Sequence, residues 1–196
     1  MTALFINGSP RNDGNSALLL KSVLQGIKAV DSSIVVKWIE LGAITTVPCI
    51  ACDGCARSGI CIKDDDMTAI YRAVDLSDII VVASPIYFCS VTAQLKAVID
   101  RFHSVWVNRF KLGKAPAKIR YGIFLAVAAS DKTAYFRNSR EIVGSFFKTV
   151  GAEYSGDIFA GNIEKRGDID SRPEALASAM DLGRNVASSV IGKEKI

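Results

Sequence analysis

The chain is poor in the residues that many catalytic and binding schemes rely on. Its 196 residues include one histidine, His103. No matched acid or thiol stands beside it in sequence, so His103 reads as structural and no histidine-based chemistry is expected. Lysine and arginine outnumber aspartate and glutamate by only 24 to 20, a net charge of +4. That falls short of the concentrated basic stripe of a nucleic-acid binder, and no nucleic-acid partner is expected. Long hydrophobic runs are missing as well. The longest, IIVVASPIYF (residues 79–88), is too short to cross a bilayer and contains a proline. The opening MTALFINGSP has no basic n-region followed by an apolar h-region, so a cytoplasmic protein without membrane attachment is expected. Internal repeats, low-complexity tracts and linkers are absent, which predicts one domain over residues 1–196. With 49% hydrophobic and 22% charged residues, the composition is that of a soluble globular protein.

What is present is an alternation of β-rich runs and amphipathic stretches. ALFIN (residues 3–7) reads as a first strand, followed by a helix over 16–30 with Leu19, Val23 and Ile27 on one face. SIVVKWIEL (33–41) is a second strand, and a short helix covers 67–74. DIIVVAS (78–84) is apolar at consecutive positions, as in a strand buried on both faces. Helical spacing of Leu95, Val98, Ile99, Phe102 and Trp106 predicts one long helix over 92–106. IRYGIFLAV (119–127) and AEYSGDIF (152–159) complete five strands, separated by a helix over 134–151. AGNIEKRGDIDSR (160–172) reads as a polar surface connection, and a last helix starts at Pro173 and runs to 190. This order predicts an α/β fold, a doubly wound parallel sheet with helices on both faces. Ligands of such sheets sit outside the carboxyl ends of the strands.

The turn after the first strand, NGSPRNDGNS (7–16), lacks the G-K-[ST] of a P-loop and the G-x-G-x-x-G of a dinucleotide fingerprint. Nor does it carry the acidic pair of a response-regulator receiver, having Asn7 and Gly8 there. It leads a polar, glycine-containing loop into a helix N-terminus, whose free N–H groups and dipole suit one phosphate. Ser9, Asn15 and Ser16 offer donors, Arg11 adds charge, and Gly8 and Gly14 let the backbone approach the anion. The competing reading is a plain N-cap and tight turn, served by Asn15 and Ser16.

Together with SPIYFCSVTAQLKAVIDR (84–101), this loop resembles the NADPH-dependent FMN reductase branch of the flavodoxin-like proteins. The resemblance implies a five-stranded sheet of order 2-1-3-4-5 and FMN as cofactor. It implies the phosphate near Ser9, Arg11, Asn15 and Ser16, and the isoalloxazine ring near Ser84, Pro85, Ile86, Tyr87 and Phe88. The residue types agree: a proline-stiffened turn with flat apolar side chains and main-chain donors is what a flavin needs. The alternative is a proline turn whose aromatics plug the core, with Thr92 as an N-cap. AVAASDKTAYF (126–136) lacks the glycines many relatives carry there, leaving Ser130, Asp131 and Lys132 as polar contacts near the ring.

Cysteine is concentrated rather than scarce. Four of five fall at 49, 52, 55 and 61, in a C-x2-C-x2-C-x5-C pattern within a loop over 48–66. Four such thiols can hold a [4Fe–4S] cluster, grip a zinc ion, form disulfides or stay free. Structural zinc sites usually set two C-x2-C pairs well apart, and a reducing compartment disfavours disulfides. Gly54 and Gly59 supply bends. The pattern resembles the compact motif of the iron–sulfur flavoproteins, which implies Cys49, Cys52, Cys55 and Cys61 as cluster ligands. Asp64 to Asp66 read as a helix cap, and Cys89 as a small packing residue. The resemblance further implies NAD(P)H or reduced ferredoxin as donor, and quinones, oxygen, peroxide or another carrier as acceptor. It implies a homodimer or tetramer with the cysteine loop near a neighbour's flavin. Since the flavin carries the chemistry, no catalytic side chain is expected. A cluster-free NAD(P)H:FMN or quinone reductase and a non-enzymatic redox sensor or carrier are the rival readings.

Overall fold

In a computed structural model, which describes residues 1–193, five parallel strands are ordered β2-β1-β3-β4-β5. They are β1 (Thr2–Asn7), β2 (Val35–Glu40), β3 (Ile79–Pro85), β4 (Arg120–Val127) and β5 (Ala152–Ala160). Helices α1 (Asn15–Val30) and α6 (Pro173–Lys193) cover one face of the sheet. The other face carries α2 (Met67–Leu76), α3 (Ala93–Arg101), α4 (His103–Trp106) and α5 (Thr133–Val150). The flavodoxin-like order 2-1-3-4-5 is therefore the order found.

Each strand's side-chain pattern matches its place. Central β3 and β4 are buried almost throughout, so they need apolar residues at consecutive positions. Edge strands β2 and β5 are half-buried and tolerate Lys37, Glu153 and Asp157. Phe5 and Trp38 stack at 5.3 Å between centroids where β1 meets β2. Helix α5 ends where Gly151 takes φ 74°, a left-handed cap favouring glycine. Helices α1 and α6 touch backbone to backbone: a methyl at Gly26 would strike the Met180 carbonyl, and one at Gly183 the Val23 carbonyl.

Two expectations need correction. The helix expected over 92–106 breaks at Phe102, where ψ opens to 1°. The Arg101 carbonyl there accepts the Tyr71 hydroxyl at 2.8 Å and Ser104 Oγ at 3.3 Å, and Val107–Lys111 follows as a π-helical turn. Periodicity reads side-chain faces and cannot see a carbonyl drawn to a tertiary partner. The 160–172 segment is also more than a polar surface connection. Ile163 and Ile169 are buried in it, and Asp168–Ser171 forms a 3₁₀ turn. Among the described residues, no helix is long and apolar enough to cross a membrane.

Candidate functional site

Asn7 ends β1 with its side chain already committed: Nδ2 donates to Glu40 Oε2 at 2.6 Å and Oδ1 accepts from Ser9 N–H at 3.1 Å. This folds the following loop over the strand ends. Gly8 donates to the Ala83 carbonyl at 2.7 Å, and an added Cβ would lie 2.9 Å from that oxygen and 3.0 Å from Leu95 Cβ. Gly8 therefore serves strand–helix packing rather than approach to an anion. Thr92 Oγ1 donates to the Gly8 carbonyl at 2.6 Å and accepts from Leu95 N–H at 3.3 Å, so it caps α3 and ties it to this loop.

Helix α1 begins without any side-chain cap, Gly14 occupying the N-cap position. The first-turn N–H groups of Asn15 and Ser16 therefore lack the partner a capping side chain would supply. Asn15 does not act as an N-cap, and its side chain bonds across the fold. Its Nδ2 donates to the Lys165 carbonyl at 2.8 Å, and its Oδ1 accepts from Gly167 N–H at 3.0 Å and Ile169 N–H at 3.3 Å. It thus pulls residues 164–169 against the helix start. A cavity of about 250 Å³ results, lined by Ser9, Arg11, Asn15 and Ser16 on one side and Pro85, Ile86 and Tyr87 on the other. Val127, Ala128 and Ala129 supply apolar wall, and Ile163, Glu164 and Arg166 close it.

Three candidate residues lie outside this lining. Ser84 is internal, donating to the Pro85 carbonyl at 2.8 Å and accepting from Thr92 N–H at 3.2 Å. Ser130 accepts from Lys132 N–H at 3.2 Å ahead of α5. Phe88 is fully exposed at the tip of a two-residue turn, closed by Tyr87 and Ser90 exchanging backbone bonds of 2.9 and 3.0 Å. Phe88 and Cys89 have φ of 47° and 61°, the paired positive values of a tight hairpin turn. Cys89 is exposed, not the small packing residue expected; Asn138 Nδ2 holds its carbonyl at 2.8 Å. Glu164 and Arg166 were missed in sequence. Their only signal was position, after the carboxyl end of the last strand. Arg166 is ion-paired with Asp13.

The four clustered cysteines border a second, larger cavity of about 550 Å³, between their loop and the side chains of Ile99, Phe102, Trp106 and Phe146. Cys49 and Cys52 are exposed, Cys55 and Cys61 half-buried, and none forms a disulfide. Burial pushes the Cys55 thiol up, and the charges of Cys61, Cys49 and Cys52 add to the shift. Among the described residues no three metal-ligating side chains converge on one point. The loop is tightly turned, with positive φ at Ala51 (52°), Asp53 (55°) and Gly59 (69°). At Gly54 a Cβ would come within 2.6 Å of Ile62 Cδ1, so the exposed Ile62 side chain would have to turn aside.

Asp66 occupies the N-cap position of α2 but its side chain does not cap it; its Oδ2 accepts from Thr45 N–H at 2.8 Å. Asp65 takes the nearer role, accepting from Met67 N–H at 3.1 Å and pairing with buried Arg101 at 2.7 Å. Burial raises the Asp65 carboxyl, but hydrogen bonds from Arg101, Val47 and Met67 outweigh it and hold it below its ordinary value. Burial likewise works against the Arg101 charge, and Asp65 and Cys61 more than restore it.

The donor sets fit the two groups differently. An uncapped helix N-terminus, Ser9 Oγ and Arg11 beside the apolar Pro85–Ile86–Tyr87 wall match a phosphate joined to a flat ring. Four thiols with a buried guanidinium match an iron–sulfur cluster in chemistry, though the side chains are not drawn together. Residues 1–141 match the family model described as NADPH-dependent FMN reductase. The chain is 32% identical to an iron–sulfur flavoprotein of Methanocaldococcus jannaschii, with 97% of each covered. It is 29% identical to an iron–sulfur flavoprotein of Archaeoglobus fulgidus, covering all of this chain and 83% of that one. Its fold is similar to that of the NAD(P)H:quinone oxidoreductase from Methanothermobacter marburgensis, with a TM-score of 0.73 at 16% identity, over 94% of this chain and 96% of that one. By its family match over residues 1–141 and its sheet order, the chain belongs to the NADPH-dependent FMN reductase family, a family of flavin-dependent oxidoreductases.

Proposed function

We propose that this protein is an FMN-dependent oxidoreductase of the iron–sulfur flavoprotein kind. It passes electrons between NAD(P)H or a reduced ferredoxin-like carrier and an acceptor such as a quinone, oxygen or peroxide. The observation that carries this reading is the uncapped start of α1 sharing one cavity with Ser9, Arg11 and the Pro85–Tyr87 wall. FMN bound there supplies one- and two-electron redox chemistry. The chain's own part is to bind and orient. First-turn N–H groups of α1, Ser9 Oγ and Arg11 hold the phosphate; Pro85, Ile86 and Tyr87 support the ring; Val127 to Ala129 exclude water from one side. Ser84 and Thr92 act behind the wall, keeping its loop in register with Gly8. No acid, base or nucleophile is required of the protein.

Cys49, Cys52, Cys55 and Cys61 would hold a [4Fe–4S] cluster, a one-electron carrier beside a two-electron one. Helix α3 spans the nine residues Ala93–Arg101, and from its N-cap Thr92, beside the first loop, to Arg101, at the cysteine loop, the rise is about 13 Å along its axis. A cysteine loop reaching the flavin of a second copy in a homodimer or tetramer would shorten that path. A cluster-free reductase is the second reading, favoured by the thiols not converging.

Anaerobic purification followed by an absorption spectrum and a count of iron and sulfide per chain separates them. About four irons per chain beside flavin bands, lost in Cys61→Ala with FMN retained, is expected. Flavin without iron would select the cluster-free enzyme, and absence of flavin would refute both.

A further inference from the structure

Arg101 is among the largest fully buried side chains. Its guanidinium reaches both ends of the cysteine loop. One terminal nitrogen donates to the Val47 carbonyl and to Asp65 Oδ2, each at 2.7 Å. The other donates to Asp65 Oδ1 at 3.1 Å and to the Lys63 carbonyl at 3.4 Å. Val47 stands two residues before Cys49, and Lys63 two after Cys61. Asp65 Oδ2 also accepts from Val47 N–H at 3.1 Å. One planar cation therefore ties the neck through which the chain enters and leaves the four-cysteine segment, a task for a rigid fork rather than a point charge.

The Nε–H remains. It is buried and has no protein partner, although Arg101 lines the cavity bordered by all four cysteines. An unpaired buried donor on a group already bearing charge costs free energy comparable to a lost hydrogen bond. Cys61 lines the same cavity wall. Helix α3 is anchored at its other end by Thr92 on Gly8, so Arg101 is delivered from the flavin side of the fold.

We infer that Arg101 is the positioning residue of the cysteine loop: its fork clasps the neck of the loop, and its Nε–H is the donor reserved for the anionic, sulfur-rich group that the four cysteines hold. The donor part rests on the proposed cluster; the clasp does not. Outer-shell partners of a metal site typically change its affinity by about 10- to 100-fold.

Two variants test it, Arg101→Lys, which keeps charge but loses fork and Nε–H, and Asp65→Asn, which loosens the clasp and leaves Nε–H in place. Four quantities are read: FMN affinity, iron release to a chelator under anaerobic conditions, the reduction potential of the iron-loaded protein, and thiol-labelling rates of the metal-free protein. FMN affinity stays within about twofold of the parent in both, because neither side chain lines the flavin cavity. Labelling of Cys55 and Cys61 speeds up in both, and iron leaves about 10- to 100-fold faster, with a lowered cluster potential only in Arg101→Lys. Unchanged labelling in both variants would overturn the clasp, and an unchanged potential in Arg101→Lys would overturn the donor. Loss of FMN affinity in parallel would make Arg101 a residue of the fold at large and also overturn the inference. A parent protein that takes up no iron would remove the cluster and the donor role with it, while labelling would still decide the clasp.

Discussion

Asn15→Ala should loosen the floor of the candidate flavin cavity without touching its Pro85–Tyr87 wall, and the size of the effect follows from three hydrogen bonds. The Asn15 amide donates to the Lys165 carbonyl and accepts from the Gly167 and Ile169 N–H groups. Ile169 is fully buried, so its N–H has no ready access to water after the deletion. Three bonds at about 1 kcal/mol each give a loss of about 3 kcal/mol. For a chain of this size that is about 6–12 °C in melting temperature. Asn15→Asp keeps the two accepting bonds and loses only the donated one, so it should cost about 1–2 kcal/mol. The order reverses for FMN, since a carboxylate at the start of α1 repels a phosphate where an alanine does not. Urea unfolding of flavin-free protein gives the stabilities, and flavin fluorescence quenching the affinities. A loss below about 1 kcal/mol for Asn15→Ala, or equal effects of the two variants on both properties, would refute the reasoning.

Arg11→Ala should weaken FMN binding by about 10- to 100-fold, a charged hydrogen bond of about 1.5–3 kcal/mol, with stability little changed because Arg11 is exposed; an unchanged titration would remove it from the phosphate site. Gly26→Ala drives a methyl into the Met180 carbonyl and should cost about 2 kcal/mol by urea unfolding, despite a gain in helix propensity of about 1 kcal/mol. Gly144→Ala in α5 meets only Tyr154 ring carbons at 3.7 and 3.9 Å and should stabilise by up to about 1 kcal/mol; matching effects at the two sites would discard the packing argument. Burial raises the Asp78 carboxyl, but Lys118 and the Thr2 N–H outweigh it and hold it below its ordinary value. A lowered folded value contributes stability above the unfolded pKa of about 4, lost as pH falls through the folded one. Asp78→Asn should therefore cost about 1 kcal/mol at pH 7 and flatten the loss of stability below pH 4 (~4), as read by unfolding at stepped pH.

Much of the fold was legible because its signals are local. Consecutive apolar residues in 79–84 mark a strand with no solvent face, and Pro173 marks a helix start. The 92–106 helix was legible only in part, because its break depends on Tyr71 reaching the Arg101 carbonyl from 30 positions away. At the candidate site, Ser9, Arg11, Asn15, Ser16 and Pro85 to Tyr87 were placed by loop chemistry and do share a cavity. Ser84, Phe88 and Ser130 belong to the same loops but point elsewhere, since residue type does not say which way a turn faces. Asn15 was taken for a phosphate donor, and its partners lie 150 to 154 positions along the chain.

The sequence by itself determined the alternation of strands and helices, the phosphate-type loop and the spacing of four thiols, each a matter of neighbours along the chain. Only the tertiary structure decided that Ile163, Glu164 and Arg166 close the candidate flavin cavity, that Gly8 is spent on Leu95 and Ala83, and that Arg101 grips the neck of the cysteine loop. Those contacts join segments separated by tens of residues. They are set by which faces the sheet must bury and which buried polar groups must then find partners.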